Sequence, residues 1–356
     1  MTLAGVEARG LARALELVQA RGAVAQLCVV REGQVVLDRG FGCPPDALFW
    51  IFSASKPFVA LLVHLLAQRS ELALDDRVAE YWPRFGQHGK ESVTIRQVLQ
   101  HRSGLPVARD SARDALAMTD WDHAVRQIEQ ARLSWPPGQV PAYHFISYGF
   151  ILGELVRQVS GVGVRDFLIT EFLGPLGLRH IHLGLTDGLW PRHVPIRGRG
   201  PAARLTQVFV NRRTTRQAVI PAAGISATAR DIARFYEMLL RGGELDGTRV
   251  LEAATIERAR QPSSSEGELD RFLGLPIRWS QGFQLGGPAN GRLPGSPMGR
   301  LSSRQTFGHN GSNCCIAWAD PGRQLVFVYL TDRLAAGHEG ARHQGEVADA
   351  IIAACT

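Results

Sequence analysis

The stretch FWIFSASKPFVALLVHLLAQ, residues 49–68, decides how the rest of the chain is read. It sets a lysine inside an apolar run, three residues after a serine. The chain has 356 residues, and its 40 basic side chains include only two lysines, Lys56 and Lys90. Pro57 has no amide hydrogen, and its ring clashes with the carbonyl four residues back, so it is tolerated only near a helix start. The helix is therefore expected to begin at about Ser53 or Ala54. Ser53 then lies at the positive end of a helix, where backbone amides are unpaired. Residues three apart share a helix face, so Lys56 stands beside Ser53. A serine hydroxyl is a poor nucleophile until a neighbouring base takes its proton. A neutral lysine is such a base. Desolvation by Trp50, Phe52 and Phe58, together with the positive helix end, pushes its pKa down. The competing reading is a chance pair, with Lys56 snorkelling to the surface.

Length and composition bound the possibilities. The chain can bury a full core as one large domain or two interleaved ones. With 45% hydrophobic and 21% charged residues it reads as an ordinary globular protein. The net charge of +7 is carried almost wholly by arginine. Its bland explanation is a high-GC genome. Its functional one is an anionic ligand near RGRGPAARLTQVFVNRRTTR, residues 197–216. No basic helix with interleaved aromatics and no zinc spacing is present, which argues against nucleic acid. No run is long enough to cross a bilayer, so no membrane partner is expected. Residues 1–20 read as an amphipathic helix rather than a secretory signal, which points to the cytoplasm. Cys28, Cys43, Cys314, Cys315 and Cys355 are odd in number, without framework spacing, and are expected to be reduced thiols. No residue group has metal spacing, and no cofactor is expected. The sequence does not indicate an oligomeric state.

Along the chain, residues 23–42 read as two strands about a tight turn at Glu32-Gly33. The run Pro57–Leu66, the polar segment 108–133, FISYGFILGELVRQVSG (145–161), VGVRDFLITEFLGPLGL (162–178), residues 228–247 and residues 339–354 read as helical. Residues 185–222 and 261–300 read as irregular. Lys90 is placed in a polar, solvated loop. The end returns to strands at SRQTFGHNG (303–311), NCCIAWAD (313–320) and QLVFVYLTD (324–332). Strands at both ends with helices between imply an α+β fold: one antiparallel sheet built from the two termini, flanked by helices, with a mostly helical insertion. The expected division is a discontinuous sheet domain, residues 1–60 and 265–356, and a helical domain, residues 61–264. The active site would lie between them.

The order of FSASKPF (52–58), YWPRFGQHGKESVTIRQVLQHRSGLP (81–106), PPGQVPAYHF (136–145), GPLGL (174–178), IPAAGISATARDIARFYEMLLRGG (220–243) and FGHNGSNCC (307–315) resembles the serine β-lactamase-like superfamily. It is most similar to the class C β-lactamase-like esterases called family VIII carboxylesterases, over residues 23–332. The resemblance implies a β-lactamase/transpeptidase-like fold. It makes Ser53 the nucleophile, Lys56 its general base and Tyr143 the motif tyrosine that shares the proton work. His309-Asn310-Gly311 matches the third motif. Gly311 would let the strand approach the substrate, and the amides of Ser53 and Ser312 would form the oxyanion hole. His309 would contact a substrate carboxylate or hold Tyr143. Phe145 stands where lactamases have an asparagine that binds the lactam side chain. This departure argues for an ester substrate. Cys314 and Cys315 are expected to face opposite sides of a strand, one of them, Cys314, bordering the pocket. His101 and Arg102 read as structural support for the site wall. Trp82, Trp135 and Trp279 read equally as core or as acyl-pocket lining.

The function so implied is a cofactor-free serine hydrolase acting on a small-molecule ester or acyl donor through an acyl-enzyme. The alternative is an acyltransferase that passes the acyl group to an amine or alcohol. Less favoured are a true β-lactamase, a D-peptidase and a non-catalytic binding module.

Overall fold

The computed structural model describes residues 2–3, 5–287, 296–335 and 337–355. Its principal elements are α1 (Ala8–Arg21), β1 (Ala25–Arg31), β2 (Gln34–Phe41), α2 (Lys56–Gln68), α3 (Ser147–Ser160), α4 (Ala229–Leu240), β3 (Gln284–Leu285), β4 (Phe307–Gly311), β5 (Cys315–Asp320), β6 (Leu325–Thr331) and α5 (Glu339–Ala353). The six strands form one antiparallel sheet in the order β3-β4-β5-β6-β1-β2. Both ends of the chain therefore meet in one sheet, as the strand pattern implied. The first hairpin turns on Glu32 and Gly33, both at positive φ (52° and 75°), with Arg31 paired to Gln34. Two left-handed residues in a row make the turn whose twist suits a two-residue hairpin.

The central strands β1 and β6 are buried along their whole length, which explains their nearly unbroken apolar runs. Alternate residues serve different layers. Leu27 and Val29 face α1 and α5, packing with Val18, Val347, Ile351 and Phe327. Cys28 and Val30 face the other way, toward the larger core that includes Phe58, Ile232 and Phe235. Helix α4 lies inside the 61–264 segment in sequence, yet it packs on β1, β5 and β6.

Four local expectations are corrected. The irregular reading of 185–222 misses a strand at Arg197–Arg199, which pairs in parallel with Arg333–Ala335, and helices at Pro201–Val210 and Arg213–Gln217. Within it, Arg216 is fully buried. It donates to the carbonyls of Val210 and Val194 and lies 5.0 Å from the Trp50 ring. Lys90 is not solvated. Its ammonium is buried and donates to the carbonyls of Gln87 (2.6 Å), Glu129 (3.0 Å) and Ala131 (2.6 Å). Its pKa is drawn down to about 8 by that burial. A polar local sequence does not show that distant backbone closes over the side chain. The polar segment 108–133 divides into helices at Ser111–Ala117 and Trp121–Gln130, capped by Asp110 and Asp120. The irregular reading of 261–300 misses β3 at Gln284–Leu285, which pairs with Gly308 and Phe307; residues 288–295 lie outside the described residues.

Replacing Lys90 by Met leaves three buried carbonyls without a donor. Each such orphan costs about 1–3 kcal/mol. Urea unfolding of Lys90→Met is expected to show a loss of at least that size, and an unchanged midpoint would overturn the structural role.

Candidate active site

The serine and lysine sit on a two-part coil. A tight 3-10 turn spans Phe52–Ser55, and α2 starts at Lys56, three residues later than the earliest start expected. The reason lies at Pro57. It cannot donate to Ser53 O, which accepts the amide of Lys56 in the tighter pattern instead. Phe52 takes φ 49°, a left-handed conformation that is strained for a bulky side chain. The turn is held from two sides. Ile51 N–H donates to Ile225 O at 3.0 Å, and Ile225 N–H donates to Ser55 Oγ at 3.2 Å. On the third side β4 ends at Gly311, where a side-chain Cβ would lie 2.1 Å from Ile51 O. Gly311 is needed to let the strand meet the turn that carries Ser53, a different close approach from the one to substrate that the motif suggested.

Ser53, Lys56 and Tyr143 come together. Tyr143 OH donates to Ser53 Oγ at 2.6 Å, and Lys56 Nζ is 3.4 Å from the same oxygen. Lys56 is buried, with Nζ 2.9 Å from Phe145 O and 3.3 Å from Ala222 O. It does not snorkel. Burial alone drives its pKa well below the ordinary 10.5. A neutral amine has two N–H bonds and one lone pair. Donation to the two carbonyls uses the N–H bonds and leaves the lone pair to accept from Ser53 O–H. Ser53 Oγ in turn accepts from Tyr143, whose phenol burial keeps protonated. Ala222 reaches Lys56 because α3 carries Gly149 beneath it, where a Cβ would lie 2.1 Å from Ala222 N.

The segment carrying Tyr143 is clamped by the loop 101–106. His101 O accepts from Ala142 N–H (2.8 Å), and His101 Nδ1 accepts from His144 N–H (3.1 Å). His144 Nε2 bonds Ser103 Oγ (2.5 Å), and Phe145 N–H donates to Pro106 O (2.9 Å). Arg102 reaches across to Glu268 (2.5 Å). The wall-supporting reading of this loop acquires a specific content: it sets both the phenol and the Phe145 carbonyl that Lys56 uses.

A cavity of about 430 Å³ opens over Ser53. Phe145, His309, Asn310 and Ser312 line it together with Tyr143. Its apolar wall includes Phe272, Leu273, Leu275, Ile277 and Leu285, all from segments that read as structureless. Of the three tryptophans in question, Trp279 lines it, stacked on the Tyr143 ring at 5.5 Å and 14°. Trp82 is buried elsewhere, bonded to Glu129.

His309 Nδ1 lies 2.8 Å from its neighbour's carbonyl, Asn310 O, so that nitrogen carries the hydrogen. Burial lowers the ring's pKa to about 3, and it is neutral. Nε2 therefore presents a bare lone pair, without a partner among the described residues. This geometry suits a hydrogen-bond donor and repels a carboxylate, which corrects the carboxylate contact expected for His309. Nor does His309 hold the Tyr143 hydroxyl, which is given to Ser53. Cys314 is also misplaced by the sequence reading. Ser312 and Asn313 at positive φ (50° and 55°) make a turn, so Cys314 precedes β5. Its thiol donates to Thr331 O (2.9 Å), and Cys315 lies 3.8 Å from the same oxygen. Both are buried, and neither lines the cavity.

The sequence reading missed Asp270. Its carboxylate is fully buried and accepts from Trp279 Nε1 (2.9 Å), Phe272 N–H (3.0 Å), Leu273 N–H (2.8 Å) and the Tyr143 amide. Burial raises its pKa. These donors oppose that rise, since each favours the ionised carboxylate. It ties the cavity's apolar loop, the stacked tryptophan and Tyr143 together, and its charge helps hold the Tyr143 pKa up. One acidic residue in a polar loop carries no sequence signal for this.

A family model described as Beta-lactamase matches residues 11–351. The chain is 30% identical over 347 residues to the esterase/beta-lactamase LipL of Mycobacterium tuberculosis, a match covering 86% of this chain and 76% of that protein. It superposes on a penicillin-binding protein homologue from Caulobacter crescentus with a TM-score of 0.80 at 27% identity, over 98% of this chain and 99% of that one. It superposes on a family VIII carboxylesterase with a TM-score of 0.83 at 24% identity, over 98% and 99% of the two chains.

Asp270→Asn puts an amide N–H against a donor and removes the charge beside the phenol. Loss of kcat/KM of about tenfold or more is expected, of the order of one or two charge-assisted hydrogen bonds. The alkaline limb of the pH profile should move to lower pH, because the Tyr143 pKa falls. A slower enzyme with an unmoved limb would reduce Asp270 to packing.

Proposed function

This chain belongs to the beta-lactamase family of serine hydrolases, and we propose that within it the protein hydrolyses small-molecule esters through an acyl-enzyme on Ser53. The observation that carries the reading is the hydrogen-bond circuit at Ser53 Oγ, with the Tyr143 phenol at 2.6 Å and a carbonyl-caged Lys56 at 3.4 Å. The relative LipL is named as an esterase and β-lactamase. Phe145, at the position of the lactam-binding asparagine, and the apolar cavity wall favour the ester.

Lys56 Nζ takes the Ser53 proton as Oγ attacks the ester carbonyl carbon. The amides of Ser53 and Ser312 receive the developing oxyanion, each such donor being worth about 3 kcal/mol in the transition state. When the C–O bond breaks, Tyr143 gives its proton to the departing alkoxide and regains one from the Lys56 ammonium. The same pair then deprotonates water, which attacks the acyl-enzyme, releases the acid and returns the proton to Ser53 Oγ. Transfer to an alcohol or amine differs only in the acceptor that replaces water, so one experiment reads both outcomes.

Ser53→Ala is expected to abolish turnover of p-nitrophenyl butyrate, and Lys56→Ala to be nearly as damaging, since groups that act as a unit are not additive. Intact-mass spectrometry of the wild type should show an acyl adduct on Ser53. Its quicker loss with added amine or alcohol would reveal transfer, and full turnover by Ser53→Ala would remove the nucleophile. Nitrocefin should be cleaved slowly or not at all. The pH profile checks Lys56 separately. Its depressed pKa means the active amine is present above that pKa and lost as pH falls through it. We expect full kcat/KM at neutral pH with a decline on acidification. A limb near the ordinary lysine value of 10.5 would show the base to be charged at neutral pH.

A further inference from the structure

The cavity over Ser53 carries an unbalanced positive charge among its lining residues. Among the described residues its acidic and basic side chains, histidines aside, are Glu266, Arg278 and Arg304. Two of these cancel: Arg304 pairs with Glu266, Nη2 to Oε2 at 3.0 Å and Nη1 to Oε1 at 3.4 Å. Arg278 has no such partner among the described residues. Its Nη1 donates only to main-chain carbonyls, Gly286 O and Arg304 O. Carbonyls orient a guanidinium without neutralising it. Nε and Nη2 make no hydrogen bond among the described residues. The group is partly buried; desolvation and the Arg304 charge disfavour its cation, and Glu266, already paired to Arg304, offsets this only in part. An anion arriving there relieves both penalties.

Arg278 is fixed relative to the chemistry by its neighbour. Trp279 stacks on Tyr143 and is bonded to Asp270, while the Arg278 carbonyl accepts from Leu285 N–H (2.8 Å) in the cavity wall. Ser53 and Arg278 line the same cavity, whose wall also carries the apolar side chains of Phe272, Leu275 and Ile277. A ligand that satisfies all of this has a reactive ester at one end, a short apolar chain, and a negative charge at the other end. His309, neutral and with its lone pair bare, does not compete for that charge.

We propose that Arg278 forms a subsite for an anionic group carried several bonds from the scissile carbonyl, so that the preferred substrates are esters bearing a distal carboxylate. This rests on the ester-hydrolase reading and specifies its substrate class.

The test measures kcat/KM on matched pairs, so that the readout is a ratio within one enzyme preparation. On the acyl side, mono-p-nitrophenyl glutarate and adipate are compared with p-nitrophenyl butyrate and hexanoate. On the alcohol side, 4-carboxyphenyl butyrate is compared with phenyl butyrate. Wild type should prefer the anionic member of one pair by about tenfold, the range of one charge-assisted hydrogen bond. The pair that shows the preference identifies which half of the ester reaches Arg278. Salt should weaken it. Arg278→Gln should bring the ratio to about one, Arg278→Lys should retain part of it, and Arg278→Glu should invert it in favour of butyrylcholine over a neutral butyrate. Ratios near one in wild type on both sides, or an unchanged preference in Arg278→Gln, overturn the subsite. No turnover of any ester, with Ser53 still labelled by a fluorophosphonate, instead overturns the ester reading.

Discussion

The site depends on keeping one amine uncharged. Lys56 is closed off from water, and its two carbonyl neighbours are fixed by separate parts of the chain, Phe145 by the 101–106 loop and Ala222 by its approach to Gly149 on α3. An ammonium in that place must give up its hydration shell. A neutral amine needs only two acceptors and one donor. The donor is Ser53, so the desolvation that lowers the lysine pKa also aims its lone pair at the proton to be removed. Strain at Phe52, the tight turn that runs directly into α2, and Gly311 against Ile51 are the backbone terms that keep this arrangement. They belong to one rigid constellation of packed elements, as a precisely positioned site requires.

Around this amine the protein arranges positions more than charges. Tyr143 is fixed by its ring, its amide and its neighbours at once: Trp279 stacks on it, Asp270 holds its backbone, and His101 and His144 anchor the peptide on either side. Asp270 also caps the loop that supplies Phe272 and Leu273 to the cavity. The cavity wall and the Tyr143 segment therefore share one buried carboxylate. A disturbance of the 270–273 loop reaches Tyr143 through hydrogen bonds rather than through diffuse packing.

How much of this was legible follows from what each feature is made of. Ser53 and Lys56 are a local pair: helical spacing and Pro57 suffice to set them side by side. The central strands β1, β5 and β6 were legible because burial on both faces writes nearly continuous apolar runs, and the Glu32-Gly33 turn because its geometry demands particular residues; the two-residue β3 in the 261–300 stretch was not. Tyr143 and His309 came from the order of motifs, which carries family information and no geometry. The remainder is tertiary. The carbonyls of Phe145 and Ala222 are backbone atoms with no residue signature. Asp270 and Arg278 lie in loops whose side chains gain meaning only when the chain folds over the cavity. Cys314 was misread because alternation along a strand was applied one residue before the strand begins, where a left-handed turn resets which way side chains point. The Arg197–Val210 stretch was misread because its partner strand lies more than a hundred residues away.

The two lysines of this arginine-rich chain answer the question that the opening stretch raises. Both lie in buried holes lined by carbonyl oxygens, where a compact amine with freely rotating donors fits and a planar guanidinium does not. They differ in their third polar neighbour and in nearby charge: Glu91 and Glu129 favour the Lys90 cation, whereas burial alone acts on Lys56. Lys90 faces three carbonyls, which accept all three hydrogens of an ammonium and would leave an amine's lone pair pointing at oxygen. Its pKa falls only to about 8, so it remains mostly charged at neutral pH. Lys56 faces two carbonyls and a hydroxyl, and its pKa falls much further. A hydroxyl can turn its hydrogen outward, so it tolerates the neutral amine that a third carbonyl would oppose. Ser53 is thus the one polar neighbour of Lys56 that can also donate, where Lys90 has a third carbonyl and the nearby charges of Glu91 and Glu129.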